Sequence, residues 1–241
     1  MTTFDQIVVK CPHCSTLMMD YELISYTTHG SSTYFSDGKN DEVPSMEDAS
    51  GIGICVACKK PFWRSESKLP ADQIDWKRMD NLPNVMDTLS LIMIFDEQGK
   101  ERQIMFYKEL LEQDFAKTEW QEFYLRKHLW WSINDIIRHL GGWTQARSLR
   151  ELKAILSHRR TCKKLFRKYD GLLVQNLDRM IFLYIISADV DLLYLANMYR
   201  EKGKFQKAME ILSKEGVQKG KTYSQLQRKI SRKNHFVFKL S

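Results

Sequence analysis

No window of the chain approaches the ~18 uninterrupted apolar residues that a membrane-spanning helix requires, so no membrane partner is expected. The opening residues, Met1-Thr2-Thr3-Phe4-Asp5, have neither the basic start nor the apolar run of a signal peptide. There is no phosphate-cradling glycine loop, no nucleophile elbow and no His-x-x-x-His pair, and the six histidines are scattered. These absences turn the reading away from an enzyme without closing that class, because catalytic groups can assemble from distant positions. Cysteine is scarce, five residues in 241, and four of the five fall into two tight pairs. That usage suits metal binding in a reducing compartment better than disulfides, and a cytoplasmic protein is expected.

What is present is ample for a core: 43% hydrophobic residues, 12% of the chain aromatic. The formal charge of +7 is unevenly placed. Residues 147–168 hold nine Lys and Arg against one Glu, and residues 200–241 hold twelve against three. The remaining segments are net acidic. Such asymmetry points to a polyanionic partner more than the total does.

The pairs are Cys11-Pro12-His13-Cys14 and Cys55-Val56-Ala57-Cys58. Each offers two thiolates two residues apart, and four sulfurs complete a tetrahedral zinc shell with no position left for an attacking water. His13 and His29 are not needed as ligands. Residues 4–10 and 17–26 read as strands. Residues 27–53 have loop composition, with Asp37-Gly38 a tight turn, and Ile52 to Ile54 lead into the second pair. Strand, knuckle, hairpin and second knuckle resemble a zinc ribbon, with Cys11, Cys14, Cys55 and Cys58 at the ligand positions. Forty residues separate Cys14 from Cys55, so the ribbon carries a long insertion. The resemblance implies a structural zinc ion that contributes folding energy.

From about residue 71 onward helical periodicity takes over. Thr88 to Phe95 is an apolar run of ambiguous type that leans to helix; 96–100 reads as a turn; 101–113 fits an amphipathic helix. Thr118 to Leu140 is apolar around most of its circumference, which places it mid-domain, with Gly141-Gly142 ending it. Within it Arg126, Trp130, Asn134 and Arg138 recur every four residues. That stripe is either an internal polar network or a groove for a carboxylate or phosphate, with Trp130 as its aromatic wall. Ser148 caps a basic amphipathic helix to Tyr169, where Arg159, Arg160, Lys163, Lys164, Arg167 and Lys168 make a candidate polyanion-binding face. Cys162 stands alone among these cations, an inert packing residue or a thiol they activate. Asp170-Gly171 reads as a break before another apolar helix, 172–186.

Residues 191–216 place Leu195-Ala196, Tyr199, Gly203, Phe205, Ala208 and Leu212 at the spacing of a helical hairpin. This resembles one tetratricopeptide-repeat unit, in which the small residues let two helices approach. Another basic segment follows, Tyr223 through Lys233, then an apolar tail at 236–240 that is a strand or docks on the core.

The expected fold is α+β and multidomain: a small β-rich zinc ribbon at 1–70, then a larger all-α, tetratricopeptide-like domain at 71–241. The leading functional expectation is a non-enzymatic, zinc-binding adaptor for a protein or peptide partner. The alternatives are a nucleic-acid-associated factor using 147–168 and 200–233, and an enzyme with an unrecognised site on the 118–140 helix.

Overall fold

The computed structural model describes residues 3–25, 33–40, 51–74, 81–87, 97–138, 140, 146–187 and 190–240. The fold is α+β, with a small β-containing region and a larger helical one. The chain divides into two units. The first comprises Met1–Ser32 and Asn40–Met93, and the second Thr33–Lys39 and Ile94–Ser241. The first unit therefore runs past residue 70, because residues after it complete a sheet. A short piece of the insertion belongs to the helical unit. Among the described residues no helix is long and apolar enough to cross a membrane.

In the first unit, β1 (Thr3–Lys10) pairs antiparallel with β2 (Leu17–Ser25), and the first cysteine pair forms the turn between Lys10 and Leu17. A second hairpin repeats the plan: β3 (Ile52–Ile54) pairs with β4 (Pro61–Trp63) around the second cysteine pair. β5 (Met86–Asp87) adds to the other edge of β3, giving the order β4-β3-β5. Gly53 sits at the centre of this sheet. A Cβ there would lie 2.8 Å from both Phe62 and Val85, so only a residue without a side chain lets those two close over the strand. The core is Val9, Cys11, Met18, Cys55, Phe62 and Val85, so two of the cysteines are core residues. A one-turn helix, α1 (Arg64–Ser67), turns Arg64 onto Asp20 of β2 at 2.9 Å, a buried ion pair.

The second unit is built on helices. α2 (Glu97–Glu112) begins where a turn is expected from composition. Glu97, Gln98 and Lys100 favour helix, and a single Gly99 costs only about 1 kcal/mol, which the rest of the helix outweighs. The apolar run 88–95 lies outside the described residues. Before α3 (Glu119–Arg138), Thr118 Oγ1 accepts from the Gln121 N–H at 3.2 Å, and Gln121 Oε1 accepts from the Lys117 N–H at 2.7 Å. These reciprocal bonds fix where the helix starts. α3 buries most of its length, including Leu125, Leu129, Trp130, Ile133 and Ile136, and packs against α2, α4 (Leu149–Lys168) and α5 (Asp170–Ile186). The expected end of α3 at Gly141-Gly142 lies outside the described residues.

Ser148 caps α4 by accepting from the Glu151 N–H at 3.2 Å. One residue, Tyr169, separates α4 from α5, so Asp170 and Gly171 open a helix where a break is expected. An acidic residue in a first turn faces the positive helix end, which offsets the helix-disfavouring glycine. Asp191 caps α6 (Leu192–Glu201), Gly203 turns the chain at φ +78°, and α7 (Phe205–Leu212) packs back on α6. Ala196 and Ala208 are wholly buried between them. α8 (Lys221–Ser231) packs on α7 and α6. The tail then docks: Leu240 N–H donates to Tyr34 O at 2.8 Å and Ser36 N–H to Phe238 O at 2.9 Å.

Candidate metal centre

The two cysteine pairs are built alike. In each, the first cysteine's N–H donates to the carbonyl five residues on (Cys11 to Thr16 at 2.9 Å, Cys55 to Lys60 at 3.0 Å). In each, its own carbonyl accepts from the residue four on (Ser15 and Lys59, both at 2.9 Å). Those fourth residues take left-handed backbone, φ 61° at Ser15 and 60° at Lys59. Ordinary side chains adopt this region only when the surrounding structure compels it. Here it turns each strand back sharply enough to aim both sulfurs inward. His13 Nε2 lies 3.0 Å from Pro61 O and ties the first turn to the second hairpin; it is not among the clustered ligand atoms.

The four Sγ atoms of Cys11, Cys14, Cys55 and Cys58 lie within 4.8 Å of one another. Cys11 and Cys58 sulfurs are 3.7 Å apart, Cys14 and Cys55 sulfurs 3.5 Å. A tetrahedron with metal–sulfur bonds of ~2.3 Å has edges of about 3.8 Å, so the spacing fits a tetrahedral metal. It is far from the ~2.05 Å of a disulfide. Four cysteines placed this way can hold a metal ion as a set of thiolates. Burial pushes the Cys11 thiol up to about 12, whereas the Thr16 hydroxyl, 3.2 Å from Cys14 Sγ, holds that thiol near 6. The two thiols of the first pair are thus shifted in opposite directions by their surroundings. The His13 N–H donates to Cys11 Sγ at 3.4 Å, as expected where a thiolate needs support.

The polar stripe of α3 lies in a different place. Arg138 donates to both carboxylate oxygens of Asp37, at 2.7 and 2.5 Å, and its Nε donates to Asp135 at 2.6 Å. Asn134 bridges Asp37 (2.8 Å) and Glu201 (2.9 Å), and the Trp130 indole N–H donates to Glu201 at 2.7 Å. Arg200 pairs with the other Glu201 oxygen at 2.9 Å and donates to Asn197 Oδ1, Asn234 O and Phe236 O. Trp131, beside the stripe, donates to Asp37 O at 2.9 Å, and Lys39 pairs with Asp135 at 2.5 Å. Three cations (Lys39, Arg138, Arg200) thus balance three carboxylates (Asp37, Asp135, Glu201). Burial opposes the charge of Arg138, but Asp37 and then Asp135 outweigh it and raise its pKa. Burial raises Glu201 and lowers Arg200, each relieved by the other. Arg126 stands apart and joins α3 to α5: it bonds Glu122 at 2.7 Å, and its carbonyl accepts from Asn176 at 2.8 Å.

Of the six candidate polyanion-binding residues on α4, Arg159 is half-buried, and Arg160, Lys163, Lys164, Arg167 and Lys168 are exposed. Lys168 pairs with Glu101 at 2.6 Å. Cys162 is only 1% exposed and its sulfur faces His158 Nε2 at 3.5 Å. Sequence reasoning missed Asp37, Arg200 and Glu201 as members of the α3 network. Asp37 is legible only as a turn residue, and the adjacent charges Arg200-Glu201 inside an otherwise apolar hairpin were the one available signal. It also missed His128, wholly enclosed by Tyr107, Tyr124 and Trp131, where burial drives its pKa well below 6.5. Compared with known protein families, curated proteins and solved structures, the chain finds no match.

Proposed function

We propose that the protein is a non-enzymatic, zinc-stapled adaptor: a zinc ribbon whose four cysteines hold Zn2+, carried with a helical scaffold that receives a protein or peptide partner. One observation carries the reading. Four sulfurs sit at the spacing of a tetrahedral thiolate shell, and two of them belong to the core of their unit. Soft, all-sulfur, tetrahedral sites select zinc or iron, and a reducing cytoplasm that spares thiols favours structural zinc. With four protein ligands there is no open position for water, so the ion's contribution is to folding.

The α6–α7 hairpin supports the likeness to a tetratricopeptide unit. Ala196 and Ala208 allow close approach and Gly203 supplies the turn. An apolar end of α5 supports a protein partner: Phe182, Ile185 and Ile186, at helical spacing, are 53%, 51% and 51% exposed. These three large apolar side chains, each about half exposed, are read as a contact surface. The α3 stripe is read as an internal clamp, because Trp130, Asn134 and Arg138 direct their donors at Asp37, Asp135 and Glu201.

The reading is tested on the purified chain by elemental analysis before and after chelation. One zinc per chain, with loss of the β-unit's chemical-shift dispersion on chelation, is the expected result. Iron in its place, or an undisturbed β-unit without metal, contradicts it. Phe182→Ser with Ile185→Ser should abolish co-purification of a protein partner that the unaltered chain retains.

A further inference from the structure

The outer side of α4 is a long basic stripe that the adaptor reading does not use. Lys153, Arg160, Lys164 and Arg167 stand at helical positions i, i+7, i+11 and i+14, which line up along one face. All four are exposed, and Lys163, also exposed, borders them. Cys162 and Phe166, on the opposite side, are buried. The only carboxylate in residues 147–168 is Glu151, and it is occupied at the helix start, accepting the Arg147 N–H at 2.7 Å. Among the described residues none of Lys153, Arg160, Lys163, Lys164 and Arg167 forms an ion pair, whereas Lys168, just past them, is held by Glu101.

The second basic segment meets this helix. The Phe166 ring abuts the Phe236 ring edge-on at 5.6 Å. Arg200 fastens the same stretch by donating to Asn234 O at 2.6 Å and Phe236 O at 2.9 Å. The exposed cations Arg228, Arg232 and Lys233 at the end of α8 lead into this segment, which is anchored on the buried side of α4, away from the stripe.

We infer that the exposed face of α4 binds the phosphate backbone of double-stranded nucleic acid. Lys153 to Arg167 spans about 21 Å at ~1.5 Å per residue. A duplex of that length presents about 12 phosphates at one per ~1.7 Å of axis, a regular polyanion matched to a regular row of cations. No exposed aromatic interrupts the row, so the bases of a single strand find nothing to stack on. The contact is with the backbone and is blind to sequence. An anionic membrane fits less well. A membrane-surface helix inserts its apolar face, and here that face is packed inward; only Leu149 and Leu156 project among the cations. This inference goes beyond the adaptor reading and is independent of the metal.

The experiment uses the full chain, metal-loaded, titrated into a labelled 24-base-pair DNA duplex, the matching RNA duplex, a 24-nucleotide single strand, and phosphatidylserine vesicles, between 50 and 200 mM salt. Binding to at least one duplex is expected, tighter than to the single strand, with log K falling linearly against log salt. The variant Lys153→Gln/Arg160→Gln/Lys164→Gln should keep the circular-dichroism spectrum, bind at least tenfold more weakly and flatten the salt slope by roughly 3, about one for each charge removed. Lys108→Gln/Lys117→Gln, away from the stripe, should bind as the unaltered chain does. Absence of duplex binding at 50 mM salt overturns the inference. So does preference for vesicles or single strand over duplex, and so does a stripe variant that binds normally.

Discussion

Asp37 and Arg138 meet in a two-point ion pair, 2.7 Å from Nη1 to Oδ1 and 2.5 Å from Nη2 to Oδ2, with both side chains wholly shielded from water. The partners are 101 residues apart in the chain, and Asp37 lies between the two cysteine pairs. The insertion that lengthens the β-unit therefore supplies the acid that neutralises the helical unit's central arginine.

Removing Asp37 takes away both bonds to the ends of the Arg138 guanidinium and leaves only Asp135 at its Nε, in a place that water cannot reach. Asp37→Ala should destabilise the helical unit by about 3–5 kcal/mol, followed as denaturant unfolding by tryptophan fluorescence. Replacing both, Asp37→Leu with Arg138→Leu, should cost clearly less than the sum of the single changes. Additive costs would mean that the pair is not energetically coupled.

Chelating a metal held by the four cysteines should loosen this clamp through the chain itself. Cys14 and Cys55 bracket residues 33–39 in the sequence, so a metal held by both would close a loop that contains the Asp37 turn. The Trp131 indole N–H, bonded to Asp37 O, is the reporter. Its hydrogen exchange should accelerate on chelation, while amides in α7 stay protected. Unchanged Trp131 exchange in metal-free protein would refute the coupling.

His128 sets a pH dependence. Burial, with help from Lys127 and Lys39, drives its folded pKa well below the ordinary 6.5, so the folded state resists the proton and the unfolded chain accepts it. The stability it supports is complete above about pH 6.5 and falls as pH drops below that value. His128→Phe keeps the ring among Tyr107, Tyr124 and Trp131 and should flatten the stability curve between about pH 6.5 and 5. Equal slopes in the two proteins would show that His128 is not the titrating group.

Gly53→Ala should destabilise the β-unit by about 1–3 kcal/mol, since the new methyl would press on Phe62 and Val85 at 2.8 Å with no slack in the core. Thermal unfolding of metal-loaded protein measures it; an unaltered midpoint would contradict the close approach.

These relationships also show what a sequence exposes. The cysteine pairs, the Ser148 cap and the Gly203 turn are local, each legible from a few neighbouring residues. Helix starts at Glu97 and Asp170 were harder, because a glycine there signals a break that flanking residues overrule. The Asp37–Arg138 pair was beyond reach: 30 acidic residues could have answered Arg138, and only the fold selects one. The every-fourth-residue stripe showed that α3 needs polar partners, but not that they come from the insertion and from α6.

The proposed structural zinc held by Cys11, Cys14, Cys55 and Cys58 would make the β-unit a folded module. Zinc-edge X-ray absorption on the purified chain reads that shell without any substitution. One zinc per chain, with four sulfur neighbours at about 2.3 Å and no oxygen or nitrogen in the shell, is expected. A shell containing nitrogen or oxygen, or a chain that folds its β-unit with no metal bound, would contradict it.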